Sequence, residues 1–157
     1  MSTHDRIPRS PLWLGLAGWI PFWIPVALTV QAALTGRSPA AEGGLYIVYA
    51  AIILGFLGGV RWGRGLAPDG TGSGGLYVLS ILPSLVGLGA AFLYWAGQPE
   101  IAFATVFAGL ILHWRWDSLA VRRETLPAWY GRLRSILTLG AGLSALAMLG
   151  IYPVAAG

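Results

Sequence analysis

AAIILGFLGGVRWGRG, residues 50–65, is an apolar helix that runs into Gly58-Gly59, then Arg61, Trp62, Gly63 and Arg64. Its apolar part reaches back to Leu45 without a charged side chain. A helix with no polar face is buried in a large core or in a membrane. The chain has 157 residues, of which 56% are hydrophobic and 10% charged, with a mean hydropathy of +0.69. A chain that small has too much surface for its volume to hide so many apolar side chains from water. Its solvent is therefore lipid, and the stretch is a membrane span.

Four further apolar runs flank it. The first, Leu12 to Leu34, covers roughly 34 Å at 1.5 Å per residue, enough to cross a ~30 Å hydrocarbon core with tilt. Ser10-Pro11 supplies an N-cap and a proline at the first helical position. Run length argues against a cleaved signal peptide, so the span is expected to be retained. Pro21 and Pro25 each remove a backbone donor on one face, and a kink is expected. Gly36 closes that helix. After the second span comes LAPDGTGSGG, a linker by composition, and then a third span over residues 76–96 containing Pro83. Gly97-Gln98-Pro99 turns the chain into a fourth span whose apolar run, Ile101 to Trp114, covers only about 21 Å. It must continue through Arg115, Trp116 and Asp117 to complete a crossing. In LPAWYGRLR, Pro127 opens a final helix, with Trp129 and Tyr130 as interfacial anchors and Trp62 in the same role on the second span. The expected fold is all-α: a single membrane domain, 1–157, with a bundle of five transmembrane helices at about 12–34, 45–62, 76–96, 101–120 and 134–154.

The ten basic residues are all arginine. Five spans place Arg6, Arg9, Arg61, Arg64, Arg115, Arg122, Arg123, Arg132 and Arg134 on one side and Arg37 alone on the other. The positive-inside rule then makes the N-terminus cytoplasmic and the C-terminus external. Arginines set between apolar spans are explained by orientation, so no nucleic-acid partner is expected. Cysteine is absent, which excludes disulfides, iron–sulfur clusters and thiolate zinc sites.

Gly55, Gly59 and Gly63 follow one another at i+4 and are expected to form a side-chain-free packing stripe, because helices in lipid associate by close packing. Their mate is another span of the same chain, with Gly140, Ala141, Ser144 and Ala145 as one candidate surface, or else a second copy. Arg61 lies about 200° around the helix from Gly59 at 100° per residue. On the fourth span the bases Arg115 and Arg122 share one face. Asp117 and Glu124 share the opposite one, with His113 placed i,i+4 from Asp117. Arg61, His113, Asp117 and Arg134 are the candidate polar site, at the cytoplasmic rim of the bundle. One histidine and one or two carboxylates are too few for a metal, and neither a metal nor a cofactor is expected. No glycine-rich phosphate loop, nucleophile elbow or HExxH motif is present.

WIPF at 19–22, FLGGVRWG at 56–63, LPSL at 82–85 and LPAWYGRLRSILT at 126–138 together resemble a family of small multispan proteins of unknown function that includes the mitochondrial transmembrane protein 69 of animals. The resemblance runs from the first span to the last. It implies an integral protein of a bacterial inner membrane, or of the mitochondrial inner membrane in a eukaryote. Without an Arg- and Ser-rich presequence, the bacterial inner membrane is the expectation. No catalytic residue can be carried over.

The first expectation is a non-enzymatic structural, assembly or interaction partner of other membrane components, in contact with the lipid bilayer and a membrane-protein partner. The alternative is a small transporter or channel for an anionic solute, bound at the cytoplasmic mouth. The two differ inside: a transporter has a hydrated cavity reaching mid-membrane, a packing protein a filled interior.

Overall fold

A computed structural model describes residues 6–68 and 72–157. Residues 1–5 of the polar N-terminus and 69–71 of the connector lie outside the described residues. Six helices account for nearly all the rest: α1 (Arg9–Ala17), α2 (Ile20–Thr35), α3 (Ala40–Leu66), α4 (Gly74–Trp95), α5 (Pro99–Arg122) and α6 (Ala128–Ala156). The protein is an all-helical membrane bundle. Among the described residues, four segments are long and apolar enough to cross a membrane by themselves: Arg9–Thr35, which joins α1 and α2, then Ala40–Leu66, Gly74–Trp95 and Ala128–Ala156. α5, with Glu100, Arg115, Asp117 and Arg122 in it, is not among them.

Consecutive long helices are neighbours, and α2 meets α6, so the five long helices close into a ring; α3 also reaches α5 and α6 across it. α3 touches every other long helix, which makes the second apolar run the centre of the bundle. The outside is apolar: Leu34, Leu14, Phe92, Phe56 and Leu112 are all exposed. Such surface is stable against acyl chains and not against water.

The first run breaks just ahead of its first proline. α1 ends at Ala17, and α2 restarts with Pro21 in its first turn, since proline cannot donate to the carbonyl four residues back. Tyr49 Oη donates to the Gly18 carbonyl at 2.9 Å, and Trp19 Nε1 to the Leu137 carbonyl at 3.2 Å. The break is thus tied to α3 and α6. Gly140 matters here, because a side chain on it would occupy the space of the Trp19 indole. Gly36 ends α2 with φ +64°, and Gly97 turns the chain into α5 with φ +79°, a region open to glycine at no steric cost.

The glycine stripe has to be corrected. Gly59 and Gly63 are exposed, and a Cβ on either would meet nothing within 4 Å; one on Gly55 would only touch Ser84 Oγ at 3.3 Å. The close approach is one residue earlier. A Cβ on Gly58 would run into the Ser80 carbonyl oxygen of α4, and one on Gly87 would lie 2.7 Å from Ala51 Cα. The buried face of α3 carries Ala50, Leu54, Leu57, Gly58 and Arg61, so its partner through glycine is α4, not α6. The physical reason lies in the buried arginine, which turns its own face of the helix inward and the 55/59/63 face outward.

Aromatic rings fill the end of the bundle remote from Arg61. Phe22, Tyr46, Phe103, Tyr94 and Tyr152 pack edge to face or tilted, with centroids 5.2 to 6.1 Å apart. Their hydroxyls are paired. Ser144 Oγ spends its one hydrogen on the Ala141 carbonyl, so Tyr46 Oη, 3.0 Å away, donates to it. Likewise Tyr94 donates to the Ala40 carbonyl and accepts from Tyr152. We expect Tyr46→Phe to lower stability by about 0.5–1.5 kcal/mol, the net worth of one such bond. Unfolding in mixed detergent–SDS micelles measures it, and an unchanged midpoint would show that the bond contributes nothing.

Candidate functional site

Arg61 on α3, His113 and Asp117 on α5 and Arg134 on α6 are brought together from three helices. Asp117 is fully buried and its carboxylate is the hub: Arg134 Nε donates to Oδ2 at 2.8 Å, and Arg61 Nη2 lies 3.0 Å from Oδ1. His113 Nδ1 stands 3.3 Å from Oδ2, the i,i+4 approach expected on one helix. Only the Arg134 contact is aligned as a hydrogen bond; the Arg61 contact is a close charge pair without that alignment.

Trp116 covers Arg61, with the guanidinium carbon 4.6 Å from the ring centre and the ring's neighbour His113 at 5.5 Å. A cation over an indole face is attracted to the ring quadrupole, more strongly where water is excluded. Tyr130, at the start of α6, brings its hydroxyl into the field of the Asp117 carboxylate but makes no aligned hydrogen bond.

The four predicted residues meet, but not at an open rim. Arg61, His113 and Arg134 are each 5% exposed or less, although Arg61 stands only five residues, about 7 Å, before the end of α3. A carboxylate shared by two guanidiniums gives both arginines a counter-charge inside the bundle. Tyr130 is likewise no surface anchor, because its hydroxyl is buried beside this cluster. Trp62 is 42% exposed and rests against Tyr77 at 4.9 Å, a position that suits an interfacial ring. Trp129 is half-buried, 6.1 Å from the Tyr130 ring.

Two guanidiniums facing one carboxylate leave an excess positive charge with neutral histidine. Arg61 Nε, Arg134 Nη2, Tyr130 Oη and Thr138 Oγ1 are buried without an aligned hydrogen-bond partner among the described residues. Arg134, Tyr130 and Thr138 also line a groove of about 520 Å³ between α1–α2, α3 and α6, whose other walls are apolar. Leu14, Ile52 and Phe56, exposed on the outside of the bundle, edge this groove, so it opens sideways into the lipid. No group of three or more metal-binding side chains occurs among the described residues.

Trp116 and Thr138 were not singled out from the sequence. Trp116 had a readable signal, being one residue from Asp117 and three from His113. Thr138 follows Arg134 by four, which on a helix means the same face.

Residues 7–150 match the model of a family described as "Protein of unknown function (DUF3429)". The chain is also similar to Transmembrane protein 69 of Xenopus tropicalis, 33% identical over 152 residues, covering 93% of this chain and 57% of that protein. To Transmembrane protein 69 of Mus musculus it is 29% identical over 154 residues, covering 93% of this chain and 59% of that one. The chain therefore spans less than two thirds of the length of these curated relatives. No solved structure matches it.

Proposed function

The chain belongs to the DUF3429 family, whose description names no activity, and from its geometry we propose that it is a non-enzymatic assembly or interaction component of a membrane. In this reading it crosses five times, α5 completing the count, with its N-terminus in the cytoplasm and its C-terminus outside. Its membrane is a bacterial inner membrane, or the mitochondrial inner membrane in a eukaryote.

The observation that carries the reading is the buried Asp117 cluster over a filled aromatic core. A transporter or channel for anions needs water to reach its charges and to continue past them. Here the charges face one another, with Arg61, His113 and Arg134 each 5% exposed or less, and the groove beside them is walled mostly by apolar side chains. The α5 segment supports the five-span count: it lies against α3, α4 and α6 and directs Asp117 inward, as a charge-bearing span must.

The test has two arms. Purified from its native membrane in mild detergent, the chain should migrate as a complex containing a second integral membrane protein at fixed stoichiometry. Reconstituted into liposomes, it should pass chloride and phosphate no faster than protein-free vesicles. A chain that elutes alone and carries either anion would overturn the proposal in favour of transport.

A further inference from the structure

We propose that the groove between α1–α2, α3 and α6 is a binding site for one anionic glycerophospholipid. One acyl chain lies in the groove and the phosphate lies against Tyr130 and Arg134. This goes beyond an assembly role and does not depend on it.

Three features fix the ligand class. First, the groove is apolar and opens to the bilayer, and its volume of about 520 Å³ falls within the roughly 300–1,000 Å³ of small-molecule sites. Second, its polar atoms are confined to one helix face. Tyr130, Arg134 and Thr138 follow one another at i+4 along α6, so successive side chains stand about 6 Å apart. Among the described residues, Arg134 Nη2 and Thr138 Oγ1 are buried donors without a partner, and Tyr130 Oη, though it faces the Asp117 carboxylate, makes no aligned hydrogen bond; buried donors are rarely left so. Third, the cluster behind Arg134 has one positive charge in excess, which favours an anion over a neutral head group.

A glycerophospholipid presents acceptors in the same order and at similar spacing. Its phosphate oxygens sit at the headgroup level, and its ester carbonyls lie about one helical turn deeper, ahead of the chains. The phosphate accepts from Tyr130 Oη and Arg134 Nη2, and an ester carbonyl accepts from Thr138 Oγ1. Arg134 meanwhile keeps its Nε on Asp117, so the site and the ion cluster share one guanidinium. A free fatty acid has a single acceptor group and would leave Thr138 unpaired.

The full chain, purified and delipidated, is incubated with palmitoyl-oleoyl phosphatidylglycerol, palmitoyl-oleoyl phosphatidylcholine or palmitate, and bound molecules are counted by native mass spectrometry. One phosphatidylglycerol per chain is expected, held about tenfold more tightly than phosphatidylcholine or palmitate. Arg134→Gln disturbs the ion cluster and is prone to misfolding. The decisive variant is therefore Tyr130→Phe/Thr138→Val, which keeps Arg61, Asp117 and Arg134 in place. It should fold, by circular dichroism, and lose about tenfold in phosphatidylglycerol affinity. Equal retention of phosphatidylcholine, tighter binding of palmitate, or undiminished phosphatidylglycerol binding in the double variant would each overturn the proposal.

Discussion

Asp117→Asn is expected to cost about 3–5 kcal/mol, the penalty for removing one member of a buried ion group and leaving its partners charged and unpaired. Here two guanidiniums are left, Arg61 and Arg134, each 5% exposed or less. Neither can be neutralised by losing a proton. Folded domains are typically stable by only about 5–15 kcal/mol, so the variant should accumulate poorly and melt well below the parent. The size-matched apolar replacement of all three, Arg61→Met/Asp117→Leu/Arg134→Met, should recover most of that loss, because it removes the desolvation cost together with the attraction. Thermal unfolding in detergent measures both. If Asp117→Asn melts with the parent, the carboxylate is not the hub of the cluster.

Gly58→Ala is the second large effect, about 1–3 kcal/mol of overpacking. It belongs at the upper end because the added methyl meets a backbone carbonyl, that of Ser80, which cannot rotate away. The neighbouring Gly59→Ala should be neutral or slightly stabilising. It meets open space and gains about 0.5–1 kcal/mol of helix preference over glycine. The pair separates packing from composition, since the two positions differ only in direction around one helix. Equal losses from the two substitutions would mean that α4 does not approach α3 through Gly58.

The glycine pair also shows how far the sequence could be read and where it stopped. Helix existence followed from run length and apolarity, and the turns followed from Gly36, Gly97 and Pro127. Spacing alone says that Gly55, Gly59 and Gly63 share a face; it does not say which way that face points. The phase was nevertheless present in Arg61. A guanidinium that close to the hydrocarbon turns toward a counter-charge, and Arg61 selects Leu54, Leu57 and Gly58 as its companions inside. The ion cluster was legible for a related reason. Asp117 is the one carboxylate within two helical turns of the C-terminal end of the apolar run in α5, so few partners were available to two arginines. Burial of the cluster was not legible, because it depends on Trp116 and the neighbouring helices closing over it. The Tyr130 hydroxyl was misplaced because an aromatic near a span's end has the same sequence signature whether it faces headgroups or turns inward.

The three charges at the heart of the bundle are made at different times. Arg61 precedes Asp117 by 56 residues (117 − 61), and Arg134 follows Asp117 by 17. At about 5–20 residues per second, Arg61 is made roughly 3–11 s before its counter-ion exists. During that interval Arg61 lacks Asp117, and lipid headgroups are within reach of its side chain. The central helix is therefore expected to enter the membrane shallow or tilted, and to reach its final depth when α5 arrives beside it. Biogenesis of this small protein has a built-in order: the helix at the centre is inserted early and seated late.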